Sequence, residues 1–223
     1  MGSKTLGFIH TNFIMVDVLK KELGALPSDV RIFHIVDESL LIDFMRLGGL
    51  NPSIVKRLCQ HAVNAEEGGA DIMGVTCSSV SPAAEVARKL VSRPLLRIDE
   101  PMAEAAIEKG EKIGLMATVA TALGPVSSLI EQKAAEKGKK VTLSTALCPE
   151  AFKALLQGDT ESHDRMVTEK AVELARGVDL LVLAQGSMSR LTVPLGQKTG
   201  IPVLSSPRLF VEKMKLMIES EGG

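Results

Sequence analysis

The sequence contains no tryptophan and no tyrosine, and phenylalanine occurs only six times. So few flat rings remove the platforms on which single-stranded nucleic acid stacks. Basic and acidic residues balance, 26 against 27, so no net field draws nucleic acid or an anionic membrane. No run approaches the ~20 apolar residues of a membrane-spanning helix. The opening MGSKTLGFIH has no apolar stretch of the kind a secretory signal needs. Cysteine is scarce: Cys59, Cys77 and Cys148 are an odd count at wide spacing, which suggests neither a disulfide framework nor a zinc site. G-x-x-x-x-G-K-[ST], H-E-x-x-H, C-x-x-C and G-x-S-x-G are missing, as is a G-x-G-x-x-G after a strand. Nucleotide phosphate, metal and cofactor binding therefore lack support. These absences leave a cytoplasmic protein that handles a small molecule, with neither nucleic acid nor membrane as a partner.

What is present is a globular chain of 223 residues, 45% hydrophobic and 24% charged. Strand-like apolar runs fall at 5–9, 30–36, 71–76, 94–98, 112–117, 140–145, 180–184 and 202–204. Helical patterns such as 52–67, 82–90, 122–137 and 163–176 lie between them, an alternation that predicts parallel sheets covered by helices. An internal repeat organises the series. GADIMGVTCSSVS at 69–81 matches GVDLLVLAQGSMS at 177–189, an offset of 108 residues. The same offset takes Phe44 to Phe152, Arg57 to Arg165 and Pro94 to Pro202, while LGFIHT matches IGLMAT at an offset of 107. Generic βα units share apolar runs, but they do not share a constant register. The expected fold is therefore α/β, two pseudo-symmetric Rossmann-like domains related by duplication. The boundaries expected are 1–103 plus 206–223 for a discontinuous first domain and 104–205 for the second. The last helix, 207–219, has no evident counterpart inside the second repeat and is expected to return to the first domain.

In parallel sheets, ligands bind beyond the carboxyl ends of the strands. Those ends carry His10-Thr11-Asn12, Asp37-Glu38-Ser39, Cys77-Ser78-Ser79 and Asp99-Glu100, then Thr118 with Thr121, Cys148, Gln185-Gly186-Ser187 and Ser205-Ser206. Cys77 follows the run IMGVT and precedes a segment in which Ser81 can cap a helix with Pro82 in its first turn. A thiol at such a helix start has a lowered pKa, and Ser78, Ser79 and nearby backbone N–H groups can hold a carboxylate or oxyanion beside it. The alternative is a small buried cysteine filling a strand end. Cys59 lies on the apolar face of a helix and reads as core; Cys148 reads as loop or core. His61 and His163 read as surface or helix-end residues, His10 as a candidate site residue, and Asp99-Glu100 as the opening of a helix.

LGFIHT, VTCSS, KIGLMATVAT and DLLVLAQGS, in that order across nearly the whole chain, resemble the aspartate/glutamate/hydantoin racemase superfamily. The resemblance implies two pseudo-symmetric domains with the active site between them. It also implies cofactor-free chemistry by two cysteines on opposite faces of the substrate α-carbon, and a homo-oligomer. The first cysteine falls on Cys77, the residues that bind substrate carboxylate on Ser78 and Ser79, the first-strand polar pair on His10 and Thr11, and the second-half binding loop on Thr118 and Thr121. The second cysteine is absent, because family members read roughly L-G-C-T where this chain reads Leu183-Ala184-Gln185-Gly186. The repeat alone gives the same pairing of Gln185 with Cys77. A carboxamide exchanges no protons near neutral pH.

The expected function is thus a cofactor-independent racemase, epimerase or isomerase of a small carboxylate, with no metal. Cys77 is its base or nucleophile, His10 a candidate partner for the thiol and Gln185 a polar orienter. Thr11, Ser78, Ser79, Thr118, Thr121 and Ser187 are the candidate substrate-binding residues. The alternatives are a cofactor-free decarboxylase or lyase of a malonate-like acid, and a non-catalytic carboxylate binder.

Overall fold

All eight apolar runs form strands in the computed structural model, which describes residues 3–220. In chain order the elements are β1 (Thr5–His10), α1 (Ile14–Leu23), β2 (Arg31–Val36), α2 (Glu38–Leu47), α3 (Pro52–Glu67), β3 (Ile72–Val75), α4 (Ala84–Ala87) and β4 (Leu95–Arg97). They continue as α5 (Glu100–Lys109), β5 (Lys112–Ala117), α6 (Ala120–Glu136), β6 (Thr142–Leu147), α7 (Pro149–Leu156), α8 (Thr160–Ala175), β7 (Leu180–Leu183), α9 (Thr192–Thr199), β8 (Val203–Ser205) and α10 (Ser206–Ser220). Short 3₁₀ turns at Ser81–Ala83 and Gly186–Leu191 come after β3 and β7. No helix among the described residues is long and apolar enough to cross a membrane.

The strands form two four-stranded parallel sheets, ordered β2-β1-β3-β4 and β6-β5-β7-β8. Two compact units result, one running up to Asp99 and resuming at Pro207, the other Glu100–Ser206. The central strands β3 (IMGV) and β7 (LLVL) are apolar and buried at every position, as strands covered on both faces must be. Helix α3 shows how the flanking layer is specified. Asn51 accepts from the Ser53 and Ile54 amides, Pro52 fills the first position, and Ile54, Leu58, Ala62 and Ala65 make one buried stripe.

The repeat extends to individual bonds. Ile9 pairs with Val75 in the first sheet and Met116 with Leu183 in the second. Asp71 accepts from the Thr5 amide at 2.9 Å, and Asp179 from the Lys112 amide at 2.8 Å. The Thr76 amide donates to Ile9 at 3.0 Å, and the Ala184 amide to Met116 at 2.9 Å. The recurring Gly-x-Asp of the two sequence repeats is therefore a backbone clamp at the start of the third strand of each unit. This register equates Thr11 with Thr118, Asn12 with Val119 and Cys77 with Gln185.

The last helix departs from the expectation that it lacks a counterpart in the second repeat. Helix α10 does have a counterpart: α5 comes after β4 as α10 comes after β8. The two are exchanged, α5 packing on α6, β7 and β8 of the second unit while α10 packs on the first. Phe210, Val211 and Met214 of α10 join Leu6, Phe8, Leu19 and Ile72 in one core cluster. Gly74 makes room for them: a Cβ there would lie 2.4 Å from Phe210 Cζ and 2.7 Å from Met214 Cε.

Candidate active site

Cys77 stands just beyond β3, half-buried against the margin of a core cluster that includes Val75, Val80 and Ala83. Its carbonyl accepts the Val80 amide at 3.2 Å and both the amide and the hydroxyl of Ser81 at 2.9 Å. The chain therefore folds back sharply, with Ser78 and Ser79 buried in the turn. Ser81 does not cap a helix as expected, since its hydroxyl donates backward to Cys77. The chain continues as a 3₁₀ turn and the four residues of α4, not as the helix expected over 82–90. The field of a long helix, invoked from sequence to activate the thiol, is absent at this position.

Cys59 lies in the same core cluster, where burial pushes its thiol up. Cys148 is half-buried at the N-cap position of α7, against the core of the second unit.

His10, the last residue of β1, has no exposed surface. Its Nδ1 lies 2.8 Å from the Thr76 hydroxyl and its Nε2 2.8 Å from Nδ1 of His34 on β2. Burial, reinforced by neighbouring His34, lowers its pKa to about 3, so the ring is neutral at pH 7. With both nitrogens engaged, the ring has none left for the thiol of Cys77, and the expected thiol partnership gives way to a different one. The imidazole braces Thr76, the residue before Cys77. Sequence reading does not single out His34; register places it beside Phe8, and its ring stacks on that phenylalanine. Pairing β1 with β2 at period two would have found it.

At the end of β2, Asp37 caps α2 and meets His61 Nε2 at 2.8 Å. Burial raises the Asp37 pKa, but hydrogen bonds from Ser39 and His61, the charge on His61 and nearby Arg57 outweigh it and hold the carboxyl low. His61 is therefore a half-buried hydrogen-bond partner of Asp37, not a free surface residue. His163, also read as surface or helix end, is fully buried, with Nδ1 2.7 Å from Asp164. After β4, Asp99 turns back onto Arg97, Nε to Oδ1 and Nη2 to Oδ2 both at 3.1 Å, a buried pair that sequence reading missed. Only Glu100 opens the helix as expected.

In the second unit, the Gln185 carboxamide oxygen lies 2.6 Å from the Thr118 amide nitrogen and 3.1 Å from both the Val119 amide nitrogen and the Thr118 hydroxyl. Thr121 is half-buried in the first turn of α6. Ser187 is half-buried in the 3₁₀ turn after Gln185, where its carbonyl accepts from Arg190. Arg190 is held in turn by Asp164, Nε to Oδ2 at 2.9 Å. In the first unit, by contrast, Thr11 is 2% exposed and its hydroxyl has no hydrogen-bond partner among the described residues. Among those residues, no three His, Cys, Asp or Glu side chains gather to hold a metal ion.

Comparison with known proteins adds to this geometry. The family described as Asp/Glu/Hydantoin racemase matches residues 10–214. No curated protein sequence matches. Among solved structures, allantoin racemase from Klebsiella pneumoniae superposes with a TM-score of 0.73 at 17% identity, over 99% of this chain and 89% of that one. Glutamate racemase from Bacillus anthracis gives 0.73 at 19%, over 100% and 84%. An unliganded arylmalonate decarboxylase gives 0.62 at 14%, over 99% and 95%. At these identities the structural likeness is one of fold.

Proposed function

Since the chain belongs to the Asp/Glu/hydantoin racemase family, we propose that it is a cofactor-independent isomerase of a small carboxylate that works with one thiol, that of Cys77. The observation that carries this reading is the register equivalence of Cys77 and Gln185: the two strand ends that could each supply a proton carrier supply one thiol and one carboxamide. In the proposed cycle the Cys77 thiolate takes the α-proton of the substrate. The electron pair moves into the adjacent carboxylate, whose oxygens need donors as charge gathers on them. The buried Thr11 hydroxyl, with Ser78 and Ser79, is the proposed donor set, and one such donor is worth ~3 kcal/mol of barrier. A proton then returns from water on the opposite face, which inverts the α-carbon, and the Cys77 thiol gives its proton back to solvent. Gln185 transfers none. His10 and His34 act indirectly, by fixing Thr76 and so the backbone that presents the thiol.

A second reading rests on the same observation. Decarboxylation of a malonate-like acid needs one proton delivery: the C–C bond breaks, carbon dioxide leaves, and the Cys77 thiol protonates the carbanion. One thiol suffices for that.

Incubation in deuterium oxide with a panel of amino acids, hydroxy acids and substituted malonates tests both. The expected result is deuterium at the α-carbon of the inverted product that depends on Cys77, or one deuterium for each carbon dioxide released. Efficient interconversion of aspartate or glutamate enantiomers would overturn the one-thiol reading. Ligand affinity without exchange or decarboxylation on any substrate would make the protein a carboxylate binder.

A further inference from the structure

Two of the three groups around the Gln185 oxygen are backbone N–H groups, which only donate. The side-chain atom facing them is therefore the carboxamide oxygen and not its nitrogen. Convergent donors at the start of a 17-residue helix, α6, form the arrangement that takes an oxygen of a carboxylate. Here the protein's own side chain fills it.

The first unit supplies the control. The strand register puts Thr11 and Asn12 at the places of Thr118 and Val119, ahead of the ten-residue helix α1, but the residue in the place of Gln185 is Cys77. A cysteine has no oxygen to offer. The Thr11 hydroxyl, equivalent to the Thr118 hydroxyl that bonds Gln185, is correspondingly buried and unpartnered among the described residues. The second corner is filled by the Gln185 oxygen; at its twin the Asn12 carboxamide oxygen turns onto the Met15 amide at 3.1 Å, and the Thr11 hydroxyl is left without a partner among the described residues.

We infer that Gln185 is a built-in stand-in for a ligand carboxylate, closing the oxyanion nest of the second unit so that a ligand carboxylate is taken at the Thr11 nest of the first. This deepens the function proposed above and rests on it for the ligand class, a carboxylate. It also reassigns Gln185. The residue is neither acid nor base; it determines specificity by removing one of two possible carboxylate positions.

The test uses the full chain, labelled with ¹⁵N and titrated with malonate as the probe. In the wild type, the Thr11 and Asn12 amide signals are expected to move with malonate while those of Thr118 and Val119 stay still. In Gln185→Ala, the Thr118 and Val119 signals should gain a saturable response. Gln185→Glu keeps an oxygen in the nest, so these signals should stay insensitive to malonate but lie downfield of wild type, because a charged acceptor binds N–H more strongly. A wild-type response at Thr118 and Val119 equal to that of Gln185→Ala overturns the inference, as does a folded Gln185→Ala without one. Should Gln185→Ala fail to fold, an unshifted Gln185→Glu spectrum decides against it. None of these readouts involves turnover. Failure of deuterium exchange with the nest behaving as described would therefore remove the proposed reaction and leave this inference standing.

Discussion

The two units share a backbone register and differ at what stands on it. Where β3 ends in Cys77, β7 leads to Gln185; where β1 ends in His10, β5 ends in Ala117. Where Asp37 caps α2 and pairs with His61, Cys148 stands at the head of α7. The clamps at Asp71 and Asp179 are preserved because they hold the sheet, whereas the strand ends are free to diverge. At the matching corners, the first unit keeps a thiol and a hydroxyl with no partner among the described residues, while the second has closed its donors on an amide. The clamps recur in both units, as do the hydroxyls of Thr11/Thr118 and Ser79/Ser187, whereas the position that could carry a proton is cysteine in one unit and glutamine in the other.

The largest break in this comparison should come from Cys77→Ser. Solvent deuterium exchange is expected to fall by ~10²–10⁴ while ligand affinity persists, the loss typical of removing a positioned acid–base group. Cys148→Ser should leave the exchange rate unchanged; equal losses at both cysteines would refute the assignment of chemistry to the first unit.

Next in size is Gly74→Ala. Its added Cβ meets the ring of Phe210, and overpacking of this kind costs ~1–3 kcal/mol, read as a lower urea midpoint. The register partner of Gly74 in the second unit, Val182, already carries a branched side chain, so the close approach belongs to the first sheet alone. An unshifted midpoint would show that α10 does not bear on Gly74 as described.

A smaller effect concerns acid. Because the folded pKa of His10 is lowered to about 3, the unfolded chain binds more protons than the folded one between about 3 and 6.5. Its contribution is intact above 6.5 and declines as pH falls through that window. Midpoints measured at pH 7.5 and pH 5 should differ less in His10→Asn than in wild type. An unchanged difference would place the acid sensitivity elsewhere.

Alkylation gives the finest discrimination. Iodoacetamide at neutral pH should modify half-exposed Cys77 ahead of Cys59, whose thiol burial pushes up. A bound small dicarboxylate or hydroxy acid should protect Cys77. Equal rates at both, without protection, would count against the site.

Much of the fold could be read from the sequence because duplication writes it twice. The offset of 108 residues locates the third and fourth strands of each half and pairs Gln185 with Cys77 before any coordinate is known. The exchanged helices escaped because α5 and α10 start 106 residues apart, off the 108-residue offset, and share little beyond a proline at the second position, Pro101 and Pro207. Arg97 reads as one more strand residue until Asp99 folds back on it. His34 sits on an edge strand whose neighbour is fixed only by the sheet order. Ser81 carries a helix-cap signature, yet its hydroxyl finds the Cys77 carbonyl first. Local patterns reveal the elements; they do not reveal which unit a helix will cover, or which of two acceptors a hydroxyl will choose.

The exchange of α5 and α10 has a consequence for how such a chain could arise. A half-length ancestor ending in its trailing helix would have Gly74 and the apolar face around Phe8 bare, unless a second copy lent its own helix. Two such halves that exchanged their trailing helices, joined end to end, would yield the present connectivity without moving a single strand. By the same logic, cutting the chain after Asp99 would not liberate a self-sufficient module, because the helix that seals the first sheet lies beyond the second unit in the chain.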